Sequence, residues 1–248
     1  MRKTLIIFHR DFKELRQTRS FLILSIISAA ITVAAVAALA ITMTGIEWLL
    51  EETARPMLTL IIGLIVYFLP LFIILSFIWA FSSLPVIKEK ANGNITSLLV
   101  TPISPKEIWI GKSLAIFLPG YVISIVSIFV VLLTVNIVIV NQSQGTVIIN
   151  APLLLTGLFV NPLLFFGLLL FIILFSLANN PDIAIAPSFI LGFGLMLGIP
   201  LGVATGFIDL ASWSFFFWYL ACTIIVLIVV FFLSRMLTRE NIVLSSTN

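Results

Sequence analysis

With 61% hydrophobic and only 9% charged residues in 248, the chain is excluded from the soluble domains, which carry about 25% charged residues. Mean hydropathy is +1.28, so lipid or packed helix surrounds most residues. The net charge of +3 comes from cations flanking apolar runs, which reads as topology signals and headgroup contacts rather than a nucleic-acid surface.

The length accommodates about six spans of 20–25 residues with short connections. No loop is long enough to build a core, so a single transmembrane domain over 1–248 is expected. The one cysteine, Cys222, cannot form an internal disulfide. No cleavable signal peptide is expected, because charges fill the first twenty positions and the following apolar run is too long.

Residues 1–20 form a basic arm. Leu5, Phe8, Phe12 and Leu15 recur at helical spacing, against Arg2, Lys3, Arg10, Lys13, Arg16 and Arg19. The arm reads as an interfacial amphipathic helix, or as a charge cluster that fixes orientation; the two are compatible. The first span, 21–44, is uncharged and rich in alanine. Its face of Ala30, Ala34 and Ala38 suits close helix approach, either to another subunit or within the chain. A loop with Glu47, Glu51, Glu52 and Arg55 follows.

The second span is 57–83, with Pro70 expected to kink it. The segment 84–112 carries Lys88, Lys90, Lys106 and Lys112. Within it, Ser104-Pro105-Lys106-Glu107 is a helix start: serine as N-cap, proline first, glutamate closing a capping box. That helix is expected to run through Trp109 and Lys112 into the third span, 113–140. The fourth span is 153–177, the fifth 183–207 and the sixth 213–234, with a tail at 235–248. The fifth carries Gly194, Gly198, Gly202 and Gly206 at four-residue spacing. This series reads as a close-packing face or gate, or as a broken helix end beside Pro200 that could form a re-entrant outer piece.

With the N-terminus inside, twelve of the thirteen Lys and Arg residues lie on the inner side and only Arg55 outside. Both termini are then cytoplasmic in a multi-pass membrane protein. The fold class expected is an all-α integral membrane protein of six transmembrane helices, with an interfacial N-terminal helix and a cytoplasmic helix between spans 2 and 3.

The spans hold almost no titratable groups; Glu47, Asp182 and Arg235 sit at span edges. That argues against an ion-coupled carrier. Catalysis lacks its parts as well. His9 is the single histidine and lies in the arm, and there is no HExxH helix, metal cluster or intramembrane carboxylate pair. Gly111-Lys112-Ser113 looks like the end of a phosphate-binding loop, but Lys106 stands where the first glycine would be. The chain is therefore expected to be no enzyme and to bind no ATP itself. Tyr67, Ser76, Tyr121, Ser124 and Asn136 are the polar or aromatic candidates to line a path.

Lys88, Glu89, Lys90, Gly93, Leu98, Leu99, Thr101, Pro102, Ile103, Ser104, Gly111 and Lys112 resemble a pattern of the ABC-2 class of ABC exporter permeases. In that class a charged cluster and a glycine turn precede Leu-Leu, Thr-Pro-Ile-Ser and Gly-Lys. Phe12, Lys13, Glu14, Leu15 and Arg19 resemble the class's entry helix. Ala91, Asn94 and Thr96 depart from the acidic residues or threonine often found there. The resemblance implies a membrane-spanning permease that forms the path as a dimer, with a second copy or a related permease. It implies two cytoplasmic ABC ATPase subunits that bind ATP and Mg, in a prokaryotic plasma membrane. It makes 84–112 the coupling segment, with Lys88, Glu89, Lys90, Gly93, Leu98, Leu99, Thr101, Pro102, Ser104 and Glu107 facing the ATPase. The dimer interface would use spans one and five. An ATP-independent channel or secondary carrier is the alternative.

Overall fold

The computed structural model describes residues 2–45, 55–82, 103–143, 150–178 and 181–238, together with Ile242. The described elements are all helical: α1 (Arg2–Arg16), α2 (Arg19–Gly45), α3 (Arg55–Phe81), α4 (Pro105–Ser143), α5 (Ala151–Leu155), a π turn (Thr156–Val160), α6 (Asn161–Ala178), α7 (Pro181–Ala204), α8 (Trp213–Leu233) and a 3-10 turn (Ser234–Met236). Five stretches are long and apolar enough to cross a bilayer: Arg19–Ile41, Leu60–Phe81, Pro105–Ile137, Ala151–Leu177 and Trp213–Met236. A shorter apolar stretch, Phe189–Ala204, lies on α7. The protein is thus a multi-pass α-helical membrane protein.

Local chemistry sets the helix ends. Thr18 ends α1 and starts α2: its hydroxyl donates to the Leu15 carbonyl at 2.7 Å and accepts from the Phe21 N–H at 3.3 Å. The expected capping box at α4 is formed. The Ser104 N–H donates to the Glu107 carboxylate at 2.9 Å, and the Glu107 N–H donates to Ser104 Oγ at 3.3 Å. From its cap, α4 runs unbroken for 39 residues, about 58 Å at 1.5 Å per residue.

α7 continues through Pro200 and ends at Ala204, and the chain turns at Gly206, whose φ of +73° suits glycine. The Phe207 N–H then returns to the Gly202 carbonyl at 2.9 Å. Ser212 caps α8 by accepting from the Phe215 N–H at 3.2 Å.

Two hubs organise the packing. α4 touches α1, α2, α3 and α6, while α6 carries α7 and α8. α3 is sandwiched between them and is the most buried span, with Tyr67, Leu71, Ile73, Ile74 and Ile78 fully enclosed. α2 and α8 are peripheral and expose large apolar side chains such as Ile26, Val33, Trp218 and Phe231, as lipid-facing helices do.

Candidate functional site

Two places concentrate polar side chains within the apolar bundle. The first joins the N-terminal helix to α4. Lys112 is 4% exposed, and its Nζ lies 3.1 Å from Oδ2 of Asp11 on α1. One residue earlier, Gly111 lets the two helices touch. A Cβ there would lie 3.0 Å from Ile7 and 3.1 Å from the Thr4 carbonyl oxygen. Ile7 and Leu15 are buried on the same face, while Leu5 and Ile6 are exposed and Phe8 stacks on Phe12 at 5.7 Å. The seated face is thus Thr4, Ile7, Asp11 and Leu15, rotated from the Leu5–Phe8–Phe12–Leu15 stripe read from hydrophobicity. Asp11 turns inward because α4 offers a buried cation. Ser113 lies inside the helix, its hydroxyl donating to the Trp109 carbonyl at 2.8 Å. The Gly-Lys-Ser sequence is therefore helix interior and not a loop.

The second place surrounds the π turn. Pro162 has no N–H, so the Leu158 carbonyl lacks its usual donor four residues on. The Tyr121 hydroxyl donates to that carbonyl at 3.2 Å. The register widens, and the Asn161 N–H returns to Thr156. Asn161 is fully buried. Its Nδ2 donates to the Tyr67 carbonyl at 3.2 Å, and its Oδ1 accepts from the Tyr219 hydroxyl at 2.7 Å. The Tyr67 hydroxyl reaches Tyr219 at 3.5 Å. All three tyrosines of the chain thus send their hydroxyls to this neighbourhood. α3 approaches closely here because residue 157 is glycine, where a Cβ would lie 2.8 Å from the Val66 carbonyl oxygen. That oxygen lacks its own usual donor, since Pro70 stands four residues on.

The cluster is neutral. It can orient hydrogen bonds and fix the register of α3, α6 and α8, and it contains no acid–base pair. Among the described residues, no group of three His, Cys, Asp or Glu could hold a metal ion.

Of the path candidates, Tyr67 and Tyr121 meet at this cluster. Ser76, Ser124 and Asn136 donate within their own helices, to the carbonyls of Phe72, Tyr121 and Leu132. Asn136 Oδ1 is buried without a hydrogen-bond partner. Ala30, Ala34 and Ala38 are all exposed. The reason is the opposite face of α2, where Thr32 donates to Ser127 of α4 at 2.8 Å and turns its polar side inward. Gly194 and Gly198 have open space where a Cβ would stand, whereas Gly202 abuts Ile208 of its own chain. Ser104 and Glu107 cap α4. Lys88, Glu89, Lys90, Gly93, Leu98, Leu99, Thr101 and Pro102 lie outside the described residues.

Sequence reading missed Asn161, Tyr219 and Gly157. The available signal was Asn161-Pro162, a helix-disturbing pair inside an otherwise apolar span. Replacing Tyr219 by phenylalanine is expected to cost about 1–3 kcal/mol, because it strands a buried amide oxygen. Tyr67→Phe, which removes only the 3.5 Å contact, should cost less. Thermal unfolding of the purified variants checks the order.

No protein-family model matches the chain, and the searches of curated proteins and of solved structures likewise gave no match.

Proposed function

We propose that the chain is the membrane-spanning permease subunit of an ATP-driven exporter. Two copies, or one copy and a related permease, form the path, and two cytoplasmic ATPase subunits drive it. The observation that carries this reading is α4: one capped helix that leaves the basic segment at Pro105 and continues unbroken across the apolar bundle. A push on the segment before Pro105 is then transmitted to the membrane core without a hinge at the capped start. The N-terminal helix, held through Asp11 and Lys112, moves with it.

In this reading α7 also crosses the membrane, as the fifth of six spans, both termini are cytoplasmic, and the membrane is a prokaryotic plasma membrane. ATP and Mg bind the partner, and ATPase closure moves the segment 84–112. The permease copies then rock about an interface supported by the outward Ala30, Ala34 and Ala38 and by the open Gly194 and Gly198.

The test is gentle purification from the native membrane, with identification of co-purifying subunits and assay of ATP hydrolysis. A bound ATPase is expected, and Glu89→Ala or deletion of residues 101–104 should separate hydrolysis from transport while the chain stays in the membrane. A chain that emerges alone and carries solutes in liposomes without ATP would overturn the reading in favour of a channel or carrier.

A further inference from the structure

A groove of about 540 Å³ lies between α4, α6 and α8, within the usual size range of small-molecule sites. Trp109 and Ile110 form one wall, Phe166 and Leu170 the floor, and Ile228 and Phe231 the other wall. The lining is apolar, and its indole is already satisfied, since Trp109 Nε1 donates to the Leu170 carbonyl at 2.7 Å. The groove therefore offers no polar recognition along its length.

Recognition is available at one end. Lys106 is exposed and stands four residues before Ile110, one turn along the same face of α4. Arg235 is exposed and stands four residues after Phe231, with its guanidinium carbon 5.3 Å from the Phe232 ring centroid. α4 enters the bundle at this end and α8 leaves it. Lys106 and Arg235 thus stand four residues along the chain from the lining residues Ile110 and Phe231, respectively.

We propose that this groove is a binding site for an anionic phospholipid. One acyl chain lies along Ile110, Leu170 and Ile228, and the phosphate sits between Lys106 and Arg235. The chemistry selects this occupant over a zwitterionic lipid. The apolar groove takes any acyl chain, but the exposed cations Lys106 and Arg235 beyond its lining favour a net negative headgroup, while the neighbouring Glu107 carboxylate is engaged by Ser104. A soluble anion would leave the groove unfilled, and a neutral apolar molecule would leave the cations unused. This inference concerns a lipid site of the chain itself and does not require an ATPase partner.

The test uses the full-length chain, with whatever subunits accompany it, reconstituted in nanodiscs of phosphatidylglycerol and phosphatidylcholine. Retained lipid is read by native mass spectrometry after transfer to detergent. Wild type is expected to retain phosphatidylglycerol preferentially, by about five-fold for each cation. Lys106→Gln with Arg235→Gln should lose that preference; both positions are exposed, and unchanged thermal unfolding would show the fold intact. Ile228→Trp, which fills the groove, should reduce retention of both lipids. Equal retention of the two lipids by wild type, or a preference that survives the double substitution, would overturn the proposal. Retention untouched by Ile228→Trp would place the lipid elsewhere and overturn it too.

Discussion

Gly157→Ala is expected to destabilise the protein by about 1–3 kcal/mol, the range for forcing one extra carbon into a packed interior. The added methyl would lie 2.8 Å from the Val66 carbonyl oxygen and 3.3 Å from Val66 Cγ1. The oxygen belongs to backbone, so no side-chain rotation relieves the clash. α3 must move away from the π turn instead. That movement would lengthen the bond from Asn161 to the Tyr67 carbonyl and loosen the contact of Tyr67 with Tyr219. The Tyr219–Asn161 bond joins α8 to α6 and should survive. Gly194→Ala is the matched control, because nothing lies within 4 Å of its added carbon. In the isolated chain it should leave stability unchanged or raise it by up to about 1 kcal/mol, the gain of alanine over glycine within a helix. Thermal unfolding in one detergent, followed by circular dichroism, compares them. Equal midpoints for Gly157→Ala and wild type would show that the close approach of α3 is not maintained.

Asp11→Ala is expected to cost about 3 kcal/mol, the low end for breaking a buried ion pair. The penalty arises because Lys112, 4% exposed, loses the carboxylate that faces it at 3.1 Å. The low end applies because the Asp11 side chain is 11% exposed and retains some hydration. Replacing both partners, Asp11→Leu with Lys112→Met, should recover much of the loss, since the buried charge is removed with its partner and Arg10, which also meets Asp11, is exposed. The double substitution therefore separates two accounts of the pair. If its purpose is stability alone, the apolar version melts near wild type and functions normally. If the pair sets the orientation of α1, the apolar version melts near wild type while protease cleavage of the arm increases. A single Asp11→Ala variant as stable as wild type would mean that the Asp11–Lys112 contact contributes little to stability.

The class of the molecule was legible in the sequence because lipid imposes a simple rule. Every backbone polar group must be bonded internally, so long uncharged runs become helices. The runs beginning at Phe21, Met57, Leu153 and Trp213 therefore became helices with ends within a few residues of those expected. The start of α4 was readable for a local reason. Ser104, Pro105 and Glu107 satisfy the first orphan N–H groups within four residues of chain. The arm's helicity was readable too, since apolar spacing and charge repeat along it.

What the tertiary structure decided is what each helix face meets. Hydrophobicity ranked Leu5 as a packing residue of the arm, yet Leu5 is exposed and Asp11 turns inward, because the buried cation Lys112 comes from a helix a hundred residues away. Tyr67 and Tyr219 are separated by 152 residues and become hydrogen-bonding neighbours only when α3 and α8 close on α6. The π turn lies between these levels. Pro162 removes a donor locally, but the freed carbonyl of Leu158 is stable in an apolar bundle because Tyr121 of α4 reaches it. Composition and local bonding determine that this chain forms membrane helices and where several of them begin. Long-range pairing of the few polar groups determines how they face one another, because in an interior this apolar a buried polar group is costly unless another helix or its own backbone supplies a partner.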